Sequence, residues 1–364
     1  MPANNTRSYP NSQPTPRSQN LEDIAAKAGV SRSTVSRVIN NEPHVSEKTR
    51  HKVLAVIQAE GFTPNPAARA LVTQRTQVIG VVIPQVPLIL FEDAYYFPTL
   101  LQGISRVTNA RDYSMLLWLG QADGDEERFY NRIISNRLMD GVIIASAGEN
   151  YPLIDHFLRV QTPFVLVERP ARRHDQNRIS YVTIDNIAAA REAVTHLIRL
   201  GHTRIGTITG NLAIADGIDR LEGYKQALYA AHLPVDNRLI AVGNFTYHSG
   251  YEGAQKLLAQ VGDHQSGKAL DAIFVASDIM ARGVVEALQE AGLNVPDDIA
   301  LVSFDDLPTA QQVRPPLTSV HHPVEEKGAH AADILIDLIE ADDPVPQQIM
   351  LPTELIIRQS CGEY

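Results

Sequence analysis

Between positions 32 and 37 the chain sets two guanidinium groups among three hydroxyls: Arg32, Ser33, Thr34, Ser36 and Arg37. Short hydroxyls bond phosphate oxygens, and a long guanidinium reaches the O6/N7 edge of a guanine. Elsewhere, Glu168, Asp278, Asp305 and His322 are the residue types of an acid/base pair or a metal site. No motif places them for that work: H-E-x-x-H, a P-loop, G-x-S-x-G and a suitably set G-x-G-x-x-G are all missing. His321 and His322 are adjacent, which suits a loop and not the two-histidine face of a helix. One cysteine, Cys361, excludes a disulfide framework and a thiolate zinc cluster. No cofactor, metal or catalytic residue is expected.

Charge divides the chain unevenly. The net charge of −10 argues against nucleic acid only when taken as one number. Up to Arg75 the chain holds ten of its 32 basic residues and five of its 42 acidic ones, so a small basic head precedes a large acidic body. Such asymmetry points to a polyanion-binding module, with a solvated basic tail as the plain alternative.

The elements that must position these residues follow from spacing. Residues 1–19 are rich in Pro, Ser, Asn and Gln and predict a disordered tail. Over 20–63 three short helices are expected. Leu21, Ile24, Ala25 and Ala28 share a face after an Asn20/Asp23 capping box, and Gly29 stops that helix. Ser31 starts a second, with Val35 and Val38 inward; Ser46 starts a third, carrying Val53, Leu54 and Ile57 and closed by Gly61. Residues 64–76 read as a linker with one short helix after its prolines. From 77 to 364 apolar runs alternate with helical patterns: VIGVVIP, SMLLWLG, GVIIAS, PFVLVE, YVTIDN, RIGTITG, AIFVAS and IALVSFDD. Runs of this kind between helices predict parallel sheets covered on both faces. Eight exceed one ordinary sheet, so two doubly wound α/β subdomains are expected, with a first break near 180.

The stretch from Leu21 to Arg50 therefore reads as two short helices across a Gly-containing turn, with the arginine and hydroxyl set on the second. DIAAKAGVS, TVSRVIN and VSEKTR resemble, nearly position by position, the helix-turn-helix head of the LacI/GalR family of transcriptional regulators. The resemblance implies that the second helix enters the major groove. PNPAARAL resembles the family's hinge helix. By that likeness Leu71 is the wedge inserted into the minor groove, with Asn65, Ala68 and Arg69 beside it. Without the head, Leu71 would read as an ordinary linker residue.

GHTRIGTITG, RLEGYKQAL, FVASDIMARG and SFDD are similar to the family's effector domain, itself like periplasmic sugar-binding proteins. The resemblance implies that Arg220 grips the ligand and Asp305 accepts from it; a surface ion pair and a turn residue are the bland readings. Ser277 and Asp278 bond the ligand or cap the following helix, capping being favoured for Asp278. Tyr96, Phe97 and Phe245 match aromatic positions of the pocket, against ordinary core rings. Glu168 stands where an aspartate is common, and His322 falls at a polar pocket position.

The expected molecule is a homodimeric, sequence-specific repressor that binds a near-palindromic operator in double-stranded DNA. A small effector, a sugar or short oligosaccharide, would control it from the cleft between the subdomains. A sugar-binding protein or sugar-processing enzyme with an appended helical module is the alternative, opposed by the intact head. The N-terminus lacks a secretory core and no run is long enough to span a membrane, so a cytoplasmic location is expected.

Overall fold

The computed structural model describes residues 20–39, 42–62, 75–84, 94–120, 138–148, 151–261 and 270–363. The tail expected over 1–19 and the hinge positions Asn65, Ala68, Arg69 and Leu71 lie outside the described residues. The chain divides into two compact units, Met1–Thr76 and Gln77–Tyr364.

The first unit contains α1 (Leu21–Ala28), α2 (Arg32–Ile39) and α3 (Glu47–Glu60). Asn20 Oδ1 accepts the Asp23 N–H at 2.9 Å while the Asp23 carboxylate accepts the Asn20 N–H at 3.1 Å, a reciprocal capping box. Gly29 closes α1 at φ 60°, where a Cβ would be penalised. Ser31 and Ser46 accept the N–H groups of Thr34 and Thr49 at the next two helix starts. Ile24, Ala25, Ala28, Val35, Val38 and Val53 bury against one another. Leu54, one position past Val53, is turned about 100° around the helix and stays exposed.

The second unit is built from two six-stranded sheets. The strands are β1 (Val78–Ile83), β2 (Ser114–Leu119), β3 (Gly141–Ile144), β4 (Phe164–Leu166), β5 (Ser180–Ile184) and β6 (Ile205–Thr209). They continue with β7 (Ile240–Val242), β8 (Ala272–Val275), β9 (Ala300–Asp305), β10 (Thr318–His321), β11 (Gln348–Leu351) and β12 (Glu354–Ile356). Sheet orders are β11-β5-β4-β3-β1-β2 and β12-β10-β9-β8-β6-β7, parallel throughout except where β12 runs antiparallel to β10. The helices are α4 (Tyr96–Ala110), α5 (Pro152–Val160), α6 (Asn186–Arg199), α7 (Ala215–Ala230), α8 (Tyr247–Val261), α9 (Asp278–Glu290), α10 (Pro308–Gln312) and α11 (Val324–Glu340).

Each sheet is covered on both faces because its strands are apolar at successive positions. In β1, Ile79, Val81 and Ile83 pack under α4 and α11, whereas Val82 joins α5 on the opposite face. In the second sheet α6 and α7 cover one face, α8 and α9 the other. The first break falls after Ile184, slightly beyond the expected position near 180, because Ser180–Ile184 still pairs with β4 and β11. The chain crosses back after His321, and again between Leu351 and Glu354. Three crossings therefore join the subdomains.

Candidate functional site

On α2 the buried face is Val35 and Val38, so the opposite face carries the polar set. Arg32, Ser33 and Arg37 are exposed, with Thr34 and Ser36 partly so. Arg32 Nε lies 3.1 Å from Glu22, and Arg37 Nε 3.6 Å from Glu42; both pairs are open to solvent and add little stability. The arginines are thus presented outward at the cost of only weak ion pairs, as a helix facing a polyanion requires.

The body has a cleft between its subdomains, with about 730 Å³ of empty space counted to its open mouth. Ile83, Pro84, Tyr96, Phe97, Ser146 and Glu168 line it from the first subdomain; Asn211, Ile214, Asp216, Arg220, Phe245, Ser277 and Asp305 line it from the second. Ile83, Ser146, Glu168, Asn211, Ser277 and Asp305 sit at or just beyond the C-terminal ends of their strands, where open parallel sheets bind ligands.

Arg220 is held by five neighbours. Its Nε donates to Asn186 Oδ1 at 2.9 Å, and Nη1 donates to the Ala276 carbonyl at 2.5 Å and to Asp305 Oδ1 at 3.3 Å. Its guanidinium carbon lies 3.6 Å from the Phe304 ring centre, and Asp216 stands 3.9 Å from Nη2. The bland reading of a surface ion pair does not hold, because Arg220 is buried and its acidic neighbours Asp216 and Asp305 are buried with it. Asp305 adopts φ 103° and Asp306 φ 51°, so the end of β9 is bent sharply to aim the Asp305 carboxylate at the cleft. Phe245, at φ 67°, lays its ring on Gly210, where any Cβ would sit about 2.0 Å from the ring edge.

Burial governs the protonation of these groups. It pushes the Glu168 carboxyl up to about 7, against the N–H donors of Ser146 and Ala147 and the charge of Lys327. Both Glu168 oxygens accept the Ser146 N–H, at 2.9 and 3.0 Å. Burial likewise raises Asp305 above the usual carboxylate range and Tyr96 well above the usual phenol. Burial, then the nearby Lys327 and Arg220, hold His322 far below its usual value, so its ring is neutral.

Two expected site residues stand behind the cavity wall. Asp278 is not the cap of α9; Ser277 is, accepting the Met280 N–H. Asp278, in the first turn, accepts from Ser303 at 2.6 Å, Ser319 at 2.7 Å and the Leu307 N–H at 2.9 Å, tying three elements together beneath the cleft. With both oxygens engaged it has no face for a ligand. His322 directs Nδ1 at Asp305 Oδ1, 3.3 Å away, and supports that carboxylate from behind. Asn211, Ile214, Asp216 and Ser146 line the cavity without having been singled out in the sequence; only their places after strands would have marked them. The mouth is bridged by the Arg169–Asp219 ion pair, by the Tyr95–Gln312 hydrogen bond at 2.7 Å and by a backbone bridge between Gly148 and Ile214. All three join one subdomain to the other.

A cleft of this polarity, with no nucleophile–base pair among the described residues, suits a binding site. Comparison with known proteins agrees. Residues 20–65 match the family model described as bacterial regulatory proteins, lacI family, and residues 194–361 match a periplasmic binding protein-like domain. The HTH-type transcriptional regulator CelR of Thermobifida fusca is 37% identical, over 93% of this chain and 97% of that protein. Catabolite control protein A of Priestia megaterium is 34% identical over 93% and 98%. A solved CelR–cellobiose complex aligns with a TM-score of 0.74 at 34% identity, over 94% of this chain and 99% of that one. The lac repressor dimer bound to operator and the anti-inducer ONPF aligns at 0.78 and 26% identity, over 95% and 99%. Identity at this level over nearly the whole of both chains, from reading helix to cleft, makes the chain a member of the lacI family of bacterial regulatory proteins and a DNA-binding transcriptional regulator.

Proposed function

We propose that this regulator is a cytoplasmic homodimeric repressor whose grip on a near-palindromic operator is set by a neutral sugar or short oligosaccharide in the cleft. The observation that carries the reading is the Arg220–Asp305–Glu168 constellation, which lines one cavity together with the Phe245 and Tyr96 rings. A guanidinium and two carboxylates bond hydroxyl pairs, and flat rings cover the apolar face of a pyranose. The solved CelR–cellobiose complex, similar over nearly the whole chain, makes a glucose disaccharide the first ligand to try.

On DNA, two copies of α2 would read two half-sites through Arg32, Ser33, Thr34, Ser36 and Arg37, as two-fold symmetry requires. Asn65, Ala68, Arg69 and Leu71 would follow in the minor groove between them, Leu71 unstacking the central step. Ligand contacts made to both subdomains favour one interdomain angle over another, and that difference in affinity is what transmits the signal. No catalytic step is assigned to the cleft.

The test is calorimetric titration of the full chain with cellobiose and related sugars, beside operator binding by fluorescence anisotropy. Micromolar-scale binding that weakens the operator complex and vanishes in Arg220→Ala supports the proposal. Sugar binding that persists unchanged in Arg220→Ala removes the assigned site.

A further inference from the structure

Lys327 stands in the first turn of α11 with none of its surface reaching solvent. The helix is pressed against α4 through two glycines. A Cβ on Gly103 would lie 2.0 Å from the Glu325 carbonyl oxygen, and one on Gly328 would lie 2.2 Å from that of Leu100. This close approach fixes the start of α11 in the first subdomain. From there the Lys327 ammonium reaches the second: Nζ lies 3.8 Å from Asp216 Oδ2, in the first turn of α7. It has no hydrogen-bond partner among the described residues, and neither does the buried Nε2 of His322.

An ammonium taken out of water without hydrogen bonds is costly, and the apolar face it shares with Ala331 and Leu335 would accept a methionine or leucine. Its surroundings suggest what it does. Asp216 lines the cavity, its other oxygen accepts from Asn186 Nδ2 at 2.9 Å, and Asn186 in turn accepts from Arg220. The charge of Lys327 is felt at Glu168, Asp305 and His322. Asp219 is already matched by Arg169, and Asp278 is turned away from the cleft. The charged side chains left at the cavity are paired, Asp216 with Lys327 and Arg220, and Asp305 with Arg220, while burial pushes Glu168 up to about 7.

We infer that Lys327 is a selectivity residue of the effector cleft: its buried ammonium completes a charge balance that admits uncharged polyhydroxy ligands and rejects cationic ones such as amino sugars. The inference rests on the reading of this cavity as an effector site. The logic is substitution of like for like. A protonated amine on a sugar is the same chemical species as Lys327 Nζ and competes for the same carboxylates. While Lys327 is present, Asp216 and Asp305 already have cationic partners; without it, Asp216 loses one and the amine is welcome.

The experiment titrates the full chain with cellobiose and with the glucosamine disaccharide of the same linkage, at a pH where its amines are protonated. The variants are Lys327→Met and the double Lys327→Met/Asp216→Asn. The parent is expected to prefer cellobiose. Lys327→Met should swing the affinity ratio toward the diamine by roughly tenfold or more, as one unbalanced charge a few ångströms away does at an effective dielectric near 20. The double variant restores the balance and should return the ratio to the parent's side. A ratio unmoved in Lys327→Met, or moved as far in the double variant, overturns the inference. A separate readout needs no ligand: the Glu168 carboxyl, followed by carbon NMR, should titrate at higher pH in Lys327→Met, and an unmoved midpoint also overturns it. If the parent binds neither sugar, the sugar reading of the cleft falls; a risen Glu168 midpoint then still upholds Lys327 as the counter-charge of the cleft.

Discussion

Replacing Glu168 with glutamine removes one titration from the molecule and should flatten part of its stability profile. An unperturbed glutamate titrates near 4.5; in the folded chain burial pushes this one up to about 7. Below 4.5 the side chain is protonated in folded and unfolded chains alike and contributes no pH dependence. Between the two values the unfolded chain has released its proton and the folded chain still holds it, so stability falls as pH rises. The slope is about 1.4 kcal/mol per pH unit, reaching about 3 kcal/mol in all, and the loss is complete above 7. Glutamine keeps an oxygen for the Ser146 N–H and carries no charge. Glu168→Gln should therefore match the parent near pH 4.5 and exceed it by about 3 kcal/mol near pH 8. Urea unfolding at both pH values reports this through Trp118, the one tryptophan, which lies in β2 of the sheet that carries Glu168. A parent and variant that differ equally at the two pH values would falsify the assignment of a raised carboxyl at Glu168.

Arg37→Ala should lower affinity for the true operator by about 1–3 kcal/mol while leaving a scrambled duplex much less affected; equal loss on both, measured by anisotropy, would reduce Arg37 to a phosphate contact. Gly210→Ala must displace the Phe245 ring that rests on it. It should weaken sugar binding about tenfold or more by removing the stacking face while operator affinity without sugar holds, so calorimetry showing undiminished binding would remove Phe245 from the cavity wall.

All eight apolar runs chosen in the sequence became strands; seven are largely buried in the sheet interiors, whereas β2 is a half-open edge strand that its Met-Leu-Leu-Trp-Leu run alone made legible. The four strands not foreseen fail that pattern for identifiable reasons. β7, β11 and β12 are sheet edges, short and largely open to solvent. β10 is buried but polar: Thr318 and Ser319 satisfy themselves on Ser360, Arg358 and Asp278, partners remote in sequence. The site divides in the same way. Arg220, Asp305 and Phe245 are carried by motifs, whereas Lys327 sits in Val324-Glu-Glu-Lys and looks like a surface lysine. The one legible sign was its spacing, four residues before Ala331 and eight before Leu335 on the face that turns inward. Asp278 misled for the converse reason, since a carboxylate at a helix start is far more often a cap than a knot between strands.

The interleaved crossings also set a timetable. The first subdomain draws its core from β1 to β5 and then from Ala331, Leu335 and Ile336 on α11, with β6 to β10 of the second subdomain synthesised in between. As the chain leaves the ribosome, the three-helix head has all its core residues by Glu60. The sensing unit cannot close its first layer until α11 has emerged, some 280 residues later. A nascent chain therefore carries a finished α2 long before the cleft exists. Because the same late helix brings Lys327, the last core layer of the first subdomain and the charge partner of Asp216 arrive together.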